Sequence, residues 1–135
     1  MHIVLCLDYS PFTKNVLNTM QMLVESLKEA KVTVIHIIDE TLFSAGTGEE
    51  QQLNEDLKRD SDDLKQLASK YLGDKINYVE AYGIPRQKID EILSGISYDI
   101  LAVGSHSRSF TGARMLGSLA EHLLRNSTKP VFVIP

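Results

Sequence analysis

The chain has 135 residues, 43% of them hydrophobic, which suits one globular domain over residues 1–135. A formal net charge of −4 excludes the basic footprint of a nucleic-acid binder. The longest apolar runs are of strand length, so neither a membrane span nor a signal peptide is expected, and the single cysteine, Cys6, fits a reducing, cytoplasmic setting.

The first predicted element is the apolar run His2-Ile-Val-Leu-Cys-Leu7, a strand that closes on Asp8. Ser10-Pro11 then reads as an N-cap followed by a first helical residue. Phe12, Val16, Met20, Leu23 and Leu27, with Leu17 and Val24 alongside, form one helical face to about Lys28. The second strand, Val32-Thr-Val-Ile-His-Ile-Ile38, closes on Asp39, and its unbroken apolarity fits a strand buried on both faces.

Residues 41–48 carry Ser, Gly and Thr and read as a loop. A long helix follows from about Glu49 to Leu72, with Leu53, Leu57, Leu64, Leu67 and Tyr71 on one face; Asp60-Ser61 interrupts that stripe and suggests a bend or break. The acidic run from Glu49 to Asp63 is the solvated side of this helix rather than a cation site. Ile76-Asn-Tyr-Val-Glu-Ala81 alternates, as an edge-like strand does. Gly83-Ile-Pro85 turns into a helix with Ile89, Ile92, Leu93 and Ile96 inward. Ile100-Leu-Ala-Val103 is the fourth strand, Leu116, Leu119, Ala120, Leu123 and Leu124 line the last helix, and Pro130 to Ile134 form the last strand.

Strands alternating with helices predict an α/β domain built on a five-stranded parallel sheet with helices on both faces. In a doubly wound sheet of order 3-2-1-4-5 the order reverses between the first and fourth strands. Ligands bind outside the carboxyl ends of the strands at such a switch point. Asp8 ends the first strand and Gly104 ends the fourth, so the segment after Gly104 falls there.

That segment reads Gly104-Ser-His-Ser107-Arg-Ser-Phe-Thr-Gly112-Ala-Arg-Met-Leu-Gly117-Ser118. Glycines let backbone approach a ligand, and a helix start offers N–H groups and partial positive charge to an anion. Arg108 and Arg114 add charge. No lysine precedes Ser118, so this is not a Walker A loop, and no G-x-G-x-x-G follows the first strand. Two readings of the segment stand: a nucleotide-phosphate loop, or a connection in which Ser118 caps the helix and Glu121 completes a capping box.

Asp8 is placed to contact a base or ribose, or to cap the first turn. His36 lies inside a buried strand and reads as a hydrogen-bonded core histidine, whereas His106 sits on the loop within reach of phosphate or solvent. Ser105, Ser109 and Thr111 offer further hydroxyls. The histidines lack zinc-binding spacing, so any divalent ion such as Mg is expected to arrive with the phosphates.

These residues, in this order, resemble the universal stress protein family along nearly the whole chain. The family's phosphate motif is G-x-x-G, nine residues, then G-S or G-T, and Gly104-Ser-His-Ser107 aligns with Gly117-Ser118 without a gap. Ile3-Val-Leu-Cys-Leu-Asp8, Val34-Ile-His-Ile-Ile38, Gly83-Ile-Pro85, Tyr98 to Gly104 and Lys129 to Ile134 match as well. The resemblance implies adenine near Asp8 and Ile37, ribose near Asp8 and Gly104, and phosphates on Gly104, Gly117 and Ser118, with His106, Ser107 and Arg108 on the same loop. Ser107 departs from the family's second glycine; at a positive φ it would cost roughly 1–2 kcal/mol, although a serine hydroxyl is able to donate to a phosphate.

The expected function is therefore binding of ATP or a related adenine nucleotide (ADP or AMP) by a regulatory stress-response protein. The alternatives are a nucleotide-free dimeric interaction module and a weak ATPase. Phosphoryl transfer needs a positioned base, and none stands out, so no enzymatic activity is expected. A phospho-receiver domain is excluded by Val79-Glu80-Ala81-Tyr82, which offers no aspartate at the third strand's end. The last strand, Val131 to Ile134, is an apolar edge, and both edge chemistry and the resemblance imply a homodimer through it.

Overall fold

The apolar run near the start of the chain becomes the middle of the sheet, and the rest of the fold is arranged around it. The computed structural model describes residues 1–40, 48–106 and 116–135. Its elements are β1 (His2–Cys6), α1 (Thr13–Ser26), β2 (Lys31–Asp39), α2 (Gly48–Leu72), β3 (Asn77–Gly83), α3 (Pro85–Ser94), β4 (Ile100–Gly104), α4 (Ser118–Asn126) and β5 (Val131–Ile134). The strands form one five-stranded sheet in the order β3-β2-β1-β4-β5, the doubly wound order expected. Every adjacent pair is parallel, with Cys6 opposite both Ile35 of β2 and Val103 of β4.

Because side chains alternate across a strand, β1 serves two cores at once. Ile3, Leu5 and Leu7 pack with Val16, Leu17 and Met20 of α1 and with Leu64 and Ala68 of α2. Val4 and Cys6 face the other way, onto Ile89 of α3 and Ala120 and Leu123 of α4. A strand buried on both faces favours apolar residues and takes polar ones only where they find hydrogen-bond partners, which explains the continuous apolarity of β1.

The turn after β1 differs from the sequence expectation. Ser10 and Pro11 do not open α1; they begin a β-turn closed by the Thr13 N–H donating to the Ser10 carbonyl at 3.2 Å. Pro11 takes the second position of that turn, and Phe12, with φ −94° and ψ −6°, takes the third in type I geometry. The Thr13 hydroxyl accepts from the Ser10 N–H (2.8 Å) and donates to the Asp8 carbonyl (2.7 Å). These bonds fix the turn, so the helix starts at Thr13.

Helix α2 is continuous through Asp60 and Ser61. Ser61 is fully buried and donates to Glu80 of β3 at 2.8 Å. A polar residue therefore occupies the apolar stripe because its partner lies on the strand beneath it. Strand β3 runs two residues beyond Ala81, to Gly83, whose φ of +155° favours glycine; Pro85 then takes the first helical position of α3. On the opposite layer, α3 and α4 are joined by His122, whose Nε2 lies 2.9 and 3.0 Å from the two Asp90 oxygens.

The start of α4 also departs from the expected capping box. Gly117, not Ser118, is the N-cap, with extended backbone and no side-chain cap bond, and Glu121 pairs with Arg125 at 2.9 Å instead of reaching back. The reason lies in the backbone. The Gly117 N–H donates to the Ser105 carbonyl and the Ser105 N–H to the Ile134 carbonyl, each at 2.7 Å. Those two bonds hold the helix start against the ends of β4 and β5 and leave Ser118 exposed as the first helical residue.

Candidate functional site

A crevice of about 390 Å³ opens at the carboxyl ends of β1, β2 and β4, where the strand order reverses. Six of the residues singled out from sequence line it: Asp8, Ile37, Gly104, His106, Gly117 and Ser118. Ser107 and Arg108 lie outside the described residues, as do Ser109, Thr111 and Arg114.

Each lining residue is placed by the element before or after it. Asp8 directly follows β1 and is half-buried, its backbone carbonyl held by Thr13. Ile37 is a partly buried residue of β2 that packs with the α3/α4 core and gives the crevice an apolar wall. Gly104 ends β4 where a Cβ would stand 3.1 Å from the Val16 side chain, so glycine is what the close approach of α1 permits. Gly117 is buried at the start of α4, and Ser118 beside it is exposed. His106 packs its ring on Phe12, with centroids 4.3 Å apart and planes inclined by 34°.

His36 is buried, as expected of a core histidine, and it also reaches the crevice wall. Its Nδ1 lies 3.0 Å from the Leu7 carbonyl, which can only accept, so Nδ1 carries the proton of that bond. Cys6 lies deeper in the same wall, where burial pushes its thiol up to about 12 and keeps it protonated and unreactive.

Sequence reasoning missed Tyr9, Asp39, Leu57 and Pro85 as lining residues. Asp39 carried a usable signal, since it closes β2 as Asp8 closes β1, and both residues line the crevice. Leu57 carried none: it comes from the middle of α2 and looks like any other core leucine of that stripe. Among the described residues, no group of three or more His, Cys, Asp or Glu side chains is arranged to hold a metal ion.

The arrangement combines an apolar wall, two carboxylates at the strand ends, and glycine backbone leading into a helix start. Such a site can take a flat, polar-edged group against Ile37 and Asp8 and an anionic group against Gly104, Gly117 and Ser118.

Fold and crevice together define a doubly wound α/β domain with its site at the switch point. The model of the universal stress protein family matches residues 1–135, and the chain belongs to that family. A universal stress protein of Methanocaldococcus jannaschii is 28% identical over 130 residues, which cover 82% of this chain and 80% of that protein. The solved structure of that archaeal protein superposes with a TM-score of 0.83 at 27% identity, covering 98% of this chain and 94% of its own. The universal stress protein UspA from Lactobacillus plantarum has the same fold, with a TM-score of 0.76 at 17% identity, covering 100% and 97% of the two chains.

Proposed function

We propose that this protein binds an adenine nucleotide (ATP, ADP or AMP) in the crevice and acts as a nucleotide-responsive regulatory protein in stress response. The observation that carries the reading is the convergence of Asp8, Ile37, Gly104, His106, Gly117 and Ser118 on one cavity. The glycine motif and the family resemblance point to these same residues, which meet at the place where doubly wound sheets bind ligands. Two universal stress proteins of similar fold have been solved in complex with cAMP and with dAMP. Each is 17% identical to this chain, so that likeness supports the fold, and the ligand reading here depends on the crevice.

Under this reading the base lies near Asp8 and Ile37 and the phosphates near the backbone of Gly104, Gly117 and Ser118. A Mg ion, if required, enters with the phosphates. In this reading the protein binds without turnover: Asp8, Asp39 and two histidines line the crevice, but no lysine or arginine among its described lining residues supplies the clustered positive charge that phosphoryl transfer requires. The expected setting is the cytoplasm, and no described helix is long and apolar enough to cross a membrane.

Calorimetric titration with ATP, ADP and AMP tests the proposal. Ligand at about 100 times its dissociation constant stabilises the native state by roughly 2.7 kcal/mol, which a thermal shift detects. Flat titrations at millimolar nucleotide with no thermal shift overturn it. Robust multiple-turnover hydrolysis by purified protein, abolished by Asp8→Ala, overturns the assignment as a non-enzyme.

A further inference from the structure

His106 would be a poorly placed ligand residue if it stood alone. It follows a glycine-ended strand by two residues, and an imidazole in that position has several rotamers open to it. In this protein its ring lies against Phe12, 4.3 Å between centroids, and its Nδ1 is shielded from water. Phe12 stands behind the crevice wall rather than in it.

Both partners are themselves held. Phe12 is fixed in the turn after β1 by its N–H donating to Ser10 Oγ at 3.1 Å and by its carbonyl accepting from the Val16 N–H at 3.1 Å. Ser105, the neighbour of His106, is tied through its N–H to Ile134 and through its carbonyl to Gly117. The ring contact therefore joins two anchored segments across the switch point, on the side of the crevice where Gly104, Gly117 and Ser118 lie.

We infer that Phe12 is a positioning residue: by packing on His106 it holds the imidazole as a preset donor to the phosphate-bearing part of the ligand, and the crevice thereby favours phosphorylated over unphosphorylated adenine compounds. This rests on the nucleotide reading of the crevice. Phe12 acts only through His106, so removing the ring costs affinity for phosphate and leaves the rest of the ligand's binding intact. A fixed donor loses less entropy on binding than a mobile one, which is why a residue outside the contact surface can set specificity.

The test is titration of the full chain with AMP and with adenosine, using the wild type, His106→Ala, Phe12→Leu, Phe12→Tyr and the His106→Ala/Phe12→Leu double variant. His106→Ala should weaken AMP roughly ten-fold, the scale of one hydrogen bond to a charged group, and leave adenosine unchanged. Phe12→Leu, which keeps apolar volume, should weaken AMP about three-fold or more, again sparing adenosine, and should add nothing in the His106→Ala background. Phe12→Tyr should bind as the wild type. In the ligand-free protein, the His106 ring-proton resonances should shift in Phe12→Leu as the ring current disappears, and return in Phe12→Tyr.

If Phe12→Leu weakens AMP and adenosine alike, or adds in full to His106→Ala, Phe12 has only a structural role and the inference fails. Unaltered AMP binding by His106→Ala overturns it as well, while the nucleotide reading stands. Wild-type protein that binds neither compound overturns that reading, and this inference with it.

Discussion

The Thr13 hydroxyl donates to the Asp8 carbonyl at 2.7 Å, so the first residue of α1 fixes the backbone of the acid that closes β1. The same oxygen accepts from the Ser10 N–H, and Thr13 is almost completely buried. Replacing it with Val keeps the shape and leaves two polar backbone groups without their partner. Thr13→Val should cost about 1–3 kcal/mol in urea unfolding. A loss under roughly 0.5 kcal/mol, the range of neutral surface changes, would show that the turn does not depend on this hydroxyl.

Ser61 makes a second prediction because its position looks like a flaw in an apolar stripe. A leucine there would complete the pattern of α2, yet Ser61 is fully buried and bonded to Glu80. Ser61→Leu should therefore destabilise the protein by about 1–3 kcal/mol through overpacking. Chemical denaturation of the variant decides it, and an unchanged or raised midpoint contradicts close packing around the buried Ser61 side chain.

The buried Cys6 thiol and the partly buried Tyr78 phenol should weaken the fold at alkaline pH. Burial raises Cys6 from 9.0 to about 12, and burial is likewise the main cause that raises Tyr78 from 10.0 to about 12. A raised folded-state value means that folding favours the protonated form. Their contributions are complete below pH 9.0 and 10.0 respectively and are lost as pH rises through 12. Melting temperature should accordingly fall from above pH 9, and Cys6→Ala should delay the onset toward pH 10. An onset unchanged in Cys6→Ala would mean that the thiol is not the first group to ionise.

The outer strand predicts assembly. On β5, Phe132 is 40% exposed although its neighbours Val131 and Val133 pack on the α3/α4 core. An uncovered apolar edge invites pairing. We propose a homodimer through Val131–Ile134, visible by sedimentation at about tens of micromolar, the order expected for a specific interface. Phe132→Lys should give a monomer with unaltered far-ultraviolet circular dichroism. A dimer indifferent to that change places the interface elsewhere.

The strands and their order were legible because burial on both faces writes itself as continuous apolarity, as in Ile3 to Leu7 and Val32 to Ile38. The backbone landmarks of the crevice were legible as glycines: Gly104 sits where a side chain would crowd Val16 of α1, and Gly117 opens α4. What local sequence did not resolve were choices between motifs with the same composition. Ser10-Pro11 suits both a helix start and a type I turn, and only Thr13's two bonds select the turn. Ser118 and Glu121 have capping-box spacing, but Gly117's bond to Ser105 sets the backbone otherwise. Ser61 and Leu57 depend on partners in other elements, which no window along α2 contains.

The parallel pairing of Ile3 with Ile100 has a consequence for how the protein comes into being. The central strand β1 is made well before its neighbour β4, with α1, β2, α2, β3 and α3 lying between them in the chain. Until β4 docks, one whole side of β1 has no ladder, and no local hairpin can substitute, since parallel strands need a crossover. Folding must therefore close a long loop before its main reward arrives, which places this domain among slow-nucleating topologies. The crevice walls come from both halves of the chain, so a nascent or truncated copy ending before Ile100 has no switch point. Ligand recognition is then a late event in the life of each molecule, and amide protection of β1 in such a fragment should be absent wherever β4 would have covered it.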